Sequence, residues 1–74
     1  MNLVQAVGSD GDILALYVTS HGVAESEGLI KRIYQEAWDI AEEGDFEESY
    51  VDLATNMLES KGFNRVFIEN ITVL

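Results

Sequence analysis

Residues 39–52 read DIAEEGDFEESYVD, seven carboxylates in fourteen positions with no Lys or Arg. The architecture turns on whether the chain crosses this stretch as one helix or as two. Gly44 argues for two, because glycine suits the left-handed position just past a helix C-terminus. Asp45 followed three residues later by Glu48 is an acidic relative of the capping box, a start signal for a second helix. Upstream, Ile30, Ile33, Tyr34, Ala37 and Ala41 recur at helical spacing, which predicts an amphipathic helix over about 26–43 with Ser26 as its cap. Downstream, Phe46, Tyr50, Leu53, Ala54, Met57 and Leu58 repeat the pattern, which predicts a second helix over about 46–61. Gly62 ends it, with Phe63 placed to pack back on the last turn.

Outside the helical pair the chain changes character. LVQAV and ILALYVTS are short β-prone runs, and the Asp10-Gly11 pair between them predicts a hairpin over 2–20 closed by a two-residue type I′ turn. In its second strand Leu14, Leu16 and Val18 face one way and Ile13, Ala15 and Tyr17 the other. The tail NRVFIENITVL reads as a third strand over about 64–73, bent near Asn70. The expectation is therefore a single α+β domain, 1–74, in ββααβ order, with a three-stranded sheet and both helices packed on one of its faces. The other face would stay partly open, lined by a selection of Leu3, Val7, Ile13, Ala15, Tyr17, Phe67, Ile71 and Val73. On this reading Ile13, Ala15 and Tyr17 are a possible dimer face.

Length and composition bound the function. A chain of 74 residues with 47% hydrophobic and 24% charged residues builds one small core and is not a disordered acidic tail. It contains no Cys, which excludes a disulfide scaffold and a thiolate metal site and fits a cytoplasmic setting. No basic-apolar leader opens it and no apolar run approaches membrane-spanning length. Fourteen acids against four bases give a formal charge of −10. Such a field repels nucleic acid and anionic membranes and attracts cationic protein surfaces. Lys31, Arg32, Lys61 and Arg65 all lie outside residues 33–60, a window that holds nine acids.

Chemistry beyond charge is sparse. Ser20-His21 is the one Ser beside a His, yet a catalytic triad is an arrangement in space and adjacency does not supply it, so no catalytic residue is assigned. The helix junction invites comparison with a calcium loop. With Asp39 at the first position, Glu43, Gly44, Asp45 and Glu47 fall at positions 5, 6, 7 and 9. Ala41 then occupies position 3 and Tyr50 the closing bidentate position, so no metal site or cofactor is assigned, and a divalent-cation-binding junction stands only as a further alternative.

Helix electrostatics separates the acids into two groups. Asp45, Glu47 and Glu48 fall in the first turn of the second helix, where the dipole favours negative charge. Asp39, Glu42 and Glu43 crowd the C-terminus of the first, where it opposes them, so helix stability does not explain their presence. Glu36, Asp39 and Glu43 step along one helical face, and Glu48, Asp52 and Glu59 along the next. Carboxylates one turn apart, roughly 5.4 Å, are comparable in spacing to nucleic-acid phosphates and suit a groove lined by Lys and Arg.

Small size, acidity, the absence of Cys and these carboxylate rows over residues 36–59 make the chain resemble phage-encoded small acidic inhibitors, the DNA mimics of anti-CRISPR or anti-restriction type. The resemblance implies stoichiometric inhibition of a nuclease or nucleic-acid-binding complex without turnover. Glu36, Asp39, Glu42, Glu43, Asp45, Glu47, Glu48 and Asp52 would be the contacts to a basic protein surface. The hairpin and last strand carry little charge, so the mimicry would belong to the helical half. The alternative is a homodimeric interaction module whose acids only confer solubility.

Overall fold

The computed structural model describes residues 1–67. It has the expected ββααβ order: β1 (Asn2–Val7), β2 (Ile13–Thr19), α1 (Val23–Gly44), a 3-10 turn (Glu47–Ser49), α2 (Tyr50–Glu59) and β3 (Phe63–Val66). The sheet is antiparallel in the order β1-β2-β3, so the hairpin's second strand is central. Helix α1 packs on β1 and on α2, and α2 packs on β3. The third strand begins one residue earlier than expected. Its continuation to residue 73, the bend at Asn70 and the placement of Ile71 and Val73 lie outside the described residues.

The hairpin turn differs from the sequence expectation. Gly8 N–H donates to Asp12 O at 2.7 Å and Gly11 N–H to Gly8 O at 3.0 Å, which closes a three-residue loop, Ser9-Asp10-Gly11. Only Gly11 in that loop has a positive φ, 90°, whereas a type I′ turn needs Asp10 there as well. The Asp10 carboxylate instead accepts from Asp12 N–H at 3.2 Å, a local bond that holds the alternative turn. Beyond the loop, Ala6 pairs with Ala15 but Val7 with Ile13, so Leu14 is an extra residue bulged out of the ladder.

Which face of the sheet is covered also differs. Tyr17 is 0% exposed, and Ala15 is buried beside Val4, Ala6 and Phe63 in the core under the helices. Leu16 and Val18, one residue out of phase, point to the opposite face and are half-buried. Two of the three residues assigned to a dimer face, Ala15 and Tyr17, are therefore interior, and only Ile13, 59% exposed, is open. Small side chains explain the choice. Ala6, Ala15, Ala37 and Ala54 let helices and sheet approach closely enough for the Tyr17 ring to fill the space between them. The Tyr17 hydroxyl then meets the Tyr34 hydroxyl at 2.5 Å and Thr55 Oγ1 at 2.8 Å, one partner on each helix. A buried phenol with no partner would cost about 1–3 kcal/mol; here three hydroxyls satisfy one another.

Helix α1 starts earlier than the spacing predicts. Its N-cap is Gly22, with no side-chain cap, and Ser26 lies inside the first turn, where its Oγ donates to Gly22 O at 2.7 Å. Ser26 is fully buried, so back-bonding to the helix satisfies its hydroxyl where a capping role would require exposure at the end. His21 closes the same corner. Its ring stacks on Phe63 with centroids 5.3 Å apart, while Nε2 lies 2.9 Å from Lys61 O and Nδ1 3.2 Å from Glu25 Oε1. A bond to a carbonyl requires the proton on Nε2, and the histidine is thereby a structural tie between the end of β2, the start of α1 and the turn before β3. Neither ring nitrogen is directed at Ser20.

Candidate acidic interface and adjoining groove

The five apolar positions read from the spacing of α1, Ile30, Ile33, Tyr34, Ala37 and Ala41, are all buried. The acids between them are thereby turned outward: Glu36, Asp39, Glu42 and Glu43 are exposed, as are Asp45 and Glu48 beyond the helix end, while Glu47 is half-buried.

The junction itself is built differently from the expectation. Gly44 is the last helical residue, and Asp45 takes the left-handed position, with φ 60° and ψ 41°. Asp45 N–H reaches Glu42 O at 3.3 Å and Phe46 N–H reaches Ala41 O at 2.9 Å, the paired bonds of a Schellman motif shifted one residue on. Gly44 is required for space. A Cβ there would lie 2.1 Å from Cε1 of Phe46, whose ring lies across the glycine. The Asp45–Glu48 capping box is absent, since neither the 3-10 turn nor α2 has a side-chain cap and Tyr50 opens the α-helix proper. Asp39 to Gly44 are helical, which removes the loop that calcium ligation would need. Among the described residues no cluster of three or more Asp, Glu, His or Cys is placed to hold a metal ion.

Neutralisation within the chain is slight. Among the described residues one ion pair forms, Arg65 with Asp52 at 3.5 Å, and His21 Nδ1 lies 3.2 Å from the Glu25 carboxylate. Asp52 is thus diverted toward β3 and is the one assigned contact residue that meets a cation. Asp39 accepts from Gln35 Nε2 at 3.1 Å and keeps its charge. Glu36, Glu42, Glu43, Asp45, Glu47 and Glu48 have no side-chain partner among the described residues. Helix α1 has no basic residue in its last turn, so its C-terminal carbonyls and its carboxylates add to one negative field.

A second feature adjoins this surface. Between the outer edge of β1 and α1 runs an open groove of about 720 Å³, with Gln5 to Ser9 on one wall and Glu27, Ile30, Lys31, Tyr34, Gln35 and Trp38 on the other. Trp38, 36% exposed, is held edge-on by Tyr50 with centroids 5.0 Å apart. The sequence carried a signal for it, since Trp38 lies four residues after Tyr34 and eight after Ile30 on the buried stripe. Burial, and next the hydrogen bond with Tyr17, hold the Tyr34 phenol well above its ordinary pKa, so it is a neutral wall of this groove.

The opposite sheet face carries Leu3, 61% exposed, cross-strand from Val18, with Leu16 beside Val66. No helix among the described residues is long and apolar enough to cross a membrane. Compared with protein families, curated proteins and solved structures, the chain matches none of them.

Proposed function

We propose that this protein is a non-enzymatic acidic binding protein that occupies a basic groove of a nuclease or nucleic-acid-binding complex and inhibits it stoichiometrically, in the manner of anti-CRISPR or anti-restriction DNA mimics. One observation carries the reading: Glu36, Asp39, Glu42, Glu43, Asp45 and Glu48 are exposed and, with the half-buried Glu47, meet no Lys or Arg among the described residues. Asp39, Glu42 and Glu43 sit at the α1 C-terminus, where negative charge is unfavourable for the helix, so an external cation is what gives their placement a use. Glu36, Asp39, Glu42, Glu43, Asp45, Glu47 and Glu48 are the contacts, with Asp52 contributing less because of Arg65.

The test is capture from lysate at low and high ionic strength, with the bound proteins identified and challenged with duplex DNA. Basic nucleic-acid-binding proteins should be retained at low salt, released by salt and displaced by the duplex. An Asp39→Asn, Glu42→Gln, Glu43→Gln triple variant with an unchanged circular dichroism spectrum should capture them at least tenfold less well. Equal capture by parent and variant would sink the proposal. The row formed by Leu3, Leu16, Val18 and Val66 favours self-association as a second reading; in that case Val18→Lys, and not the triple variant, would abolish function and lower the sedimentation coefficient.

A further inference from the structure

We infer that the groove between β1 and α1 is a strand-addition site, which takes an extended, lysine- or arginine-bearing segment of the basic partner as a fourth strand on the edge of the sheet. This inference rests on the reading of the acidic face and adds to it a site with a defined geometry.

Three observations lead to it. First, β1 pairs only with β2 among the described residues, so alternate N–H and C=O groups along Asn2–Val7 point away from the sheet. Exposed edges are usually blunted by charges or proline. This chain has fourteen acids and places none of them, and no base or proline, in NLVQAV. Second, the edge does not face open water across a flat surface. Helix α1 runs beside its second half as an opposing wall, so that Gln5 to Val7 and the following Gly8 and Ser9 form one side of an open groove of about 720 Å³. The partly exposed Trp38, held by Tyr50, which in turn packs edge-on with Tyr34, supplies an aromatic surface at which an apolar or cationic side chain of the added strand can lodge.

Third, the charges at the rim select the occupant. Glu27 lines the groove; beyond its lining, the Asp10 carboxylate lies 3.1 Å from where a Cβ of Gly8 would stand, and Asp39 accepts a hydrogen bond from the lining residue Gln35. Lys31 is the one base lining it, a single turn beyond Glu27 on the same wall. A second copy of a chain with a charge of −10 would be repelled from such a rim, whereas a basic extended segment gains both backbone hydrogen bonds and ion pairs. Backbone pairing gives this mode its affinity, and the alternating side chains give it selectivity.

The experiment uses the full chain and a capped octapeptide of alternating lysine and valine as probe. Trp38 is the sole tryptophan and reports on the groove directly. The peptide should shift Trp38 emission saturably and slow exchange of the outward-pointing amides of residues 2–7 at least tenfold. A peptide of the same sequence N-methylated at every second residue, made in both phases, keeps the charge but loses one hydrogen-bonding edge; one phase should bind at least tenfold more weakly. If both methylated peptides bind as well as the parent, charge alone is being read and the strand-addition site is wrong, while the acidic face stands. Absence of any saturable change at low salt also overturns the groove, and the triple variant's capture result then decides the acidic face separately. Slow exchange of the outward-pointing β1 amides in the free protein, with or without a concentration-dependent dimer, would mean the edge is already occupied and would overturn it too.

Discussion

Beneath the helices, hydroxyls from positions 17, 34 and 55 are buried and satisfy one another, whereas at the helix junction five carboxylates within residues 42–48 find no partner among the described residues. Both regions put polar groups where they cost stability unless they are answered. In the first the answer comes from inside the chain, so the polar groups fix how sheet and helices fit together. In the second, Glu42 and Glu43 oppose the α1 dipole and meet no Lys or Arg among the described residues, and the chain carries that cost in its free state. The difference teaches that the interior polar groups are explained by the fold they join, whereas helix stability does not explain where Glu42 and Glu43 stand.

Substitutions in the two regions should therefore have opposite signs. The largest effect on stability is expected from Tyr17→Phe, which strips both Tyr34 and Thr55 of a partner and should cost about 1–3 kcal/mol in urea unfolding. An unchanged midpoint would break the comparison on its interior side. Next, the triple neutralisation of Asp39, Glu42 and Glu43 should raise stability by about 1 kcal/mol at low salt, with the gain shrinking as salt is added. A loss of stability would show that the carboxylates serve the fold after all. Asp45→Gly should add about 0.5–1 kcal/mol, because glycine occupies the left-handed position without the steric cost that a side chain incurs; thermal unfolding reads it.

The last effect is invisible at neutral pH. Tyr34 has a raised folded-state pKa, so its contribution is complete below the unfolded value, about 10, and is lost as pH rises beyond it. Stability should fall on the alkaline side, and Tyr34→Phe should flatten that limb relative to the parent. An identical alkaline profile would place the titration elsewhere.

The fold was legible where periodicity was strong. The buried stripe of α1 emerged residue for residue, and Ala54 and Leu58 of α2 are buried as their spacing requires. Turn chemistry was less legible. Gly44 looked like a positive-φ position, but the ring of Phe46 demanded a residue without a Cβ there, and the left-handed conformation moved to Asp45. Alternation along β2 separated its two faces but could not say which one the helices cover, because both are apolar; the alanines and Tyr17 fit the close helix-sheet contact, and Leu16 and Val18 take the other face. Outward placement of the acids followed from the apolar stripe, whereas the diversion of Asp52 to Arg65 is a contact between α2 and β3 that no local pattern encodes. Trp38 was readable as part of the stripe, but its groove exists only because β1 is an edge.

The hydroxyl cluster also bears on the order of events in folding. Its bonds join residues 17 and 38 positions apart in sequence, so they can close only after the hairpin has formed and both helices have come down on it. Interactions that close so late are expected to be absent from the transition state, so Tyr17→Phe should give a φ-value near zero in folding kinetics. Their effect therefore lies in how slowly the native molecule comes apart, and hardly in how quickly it assembles.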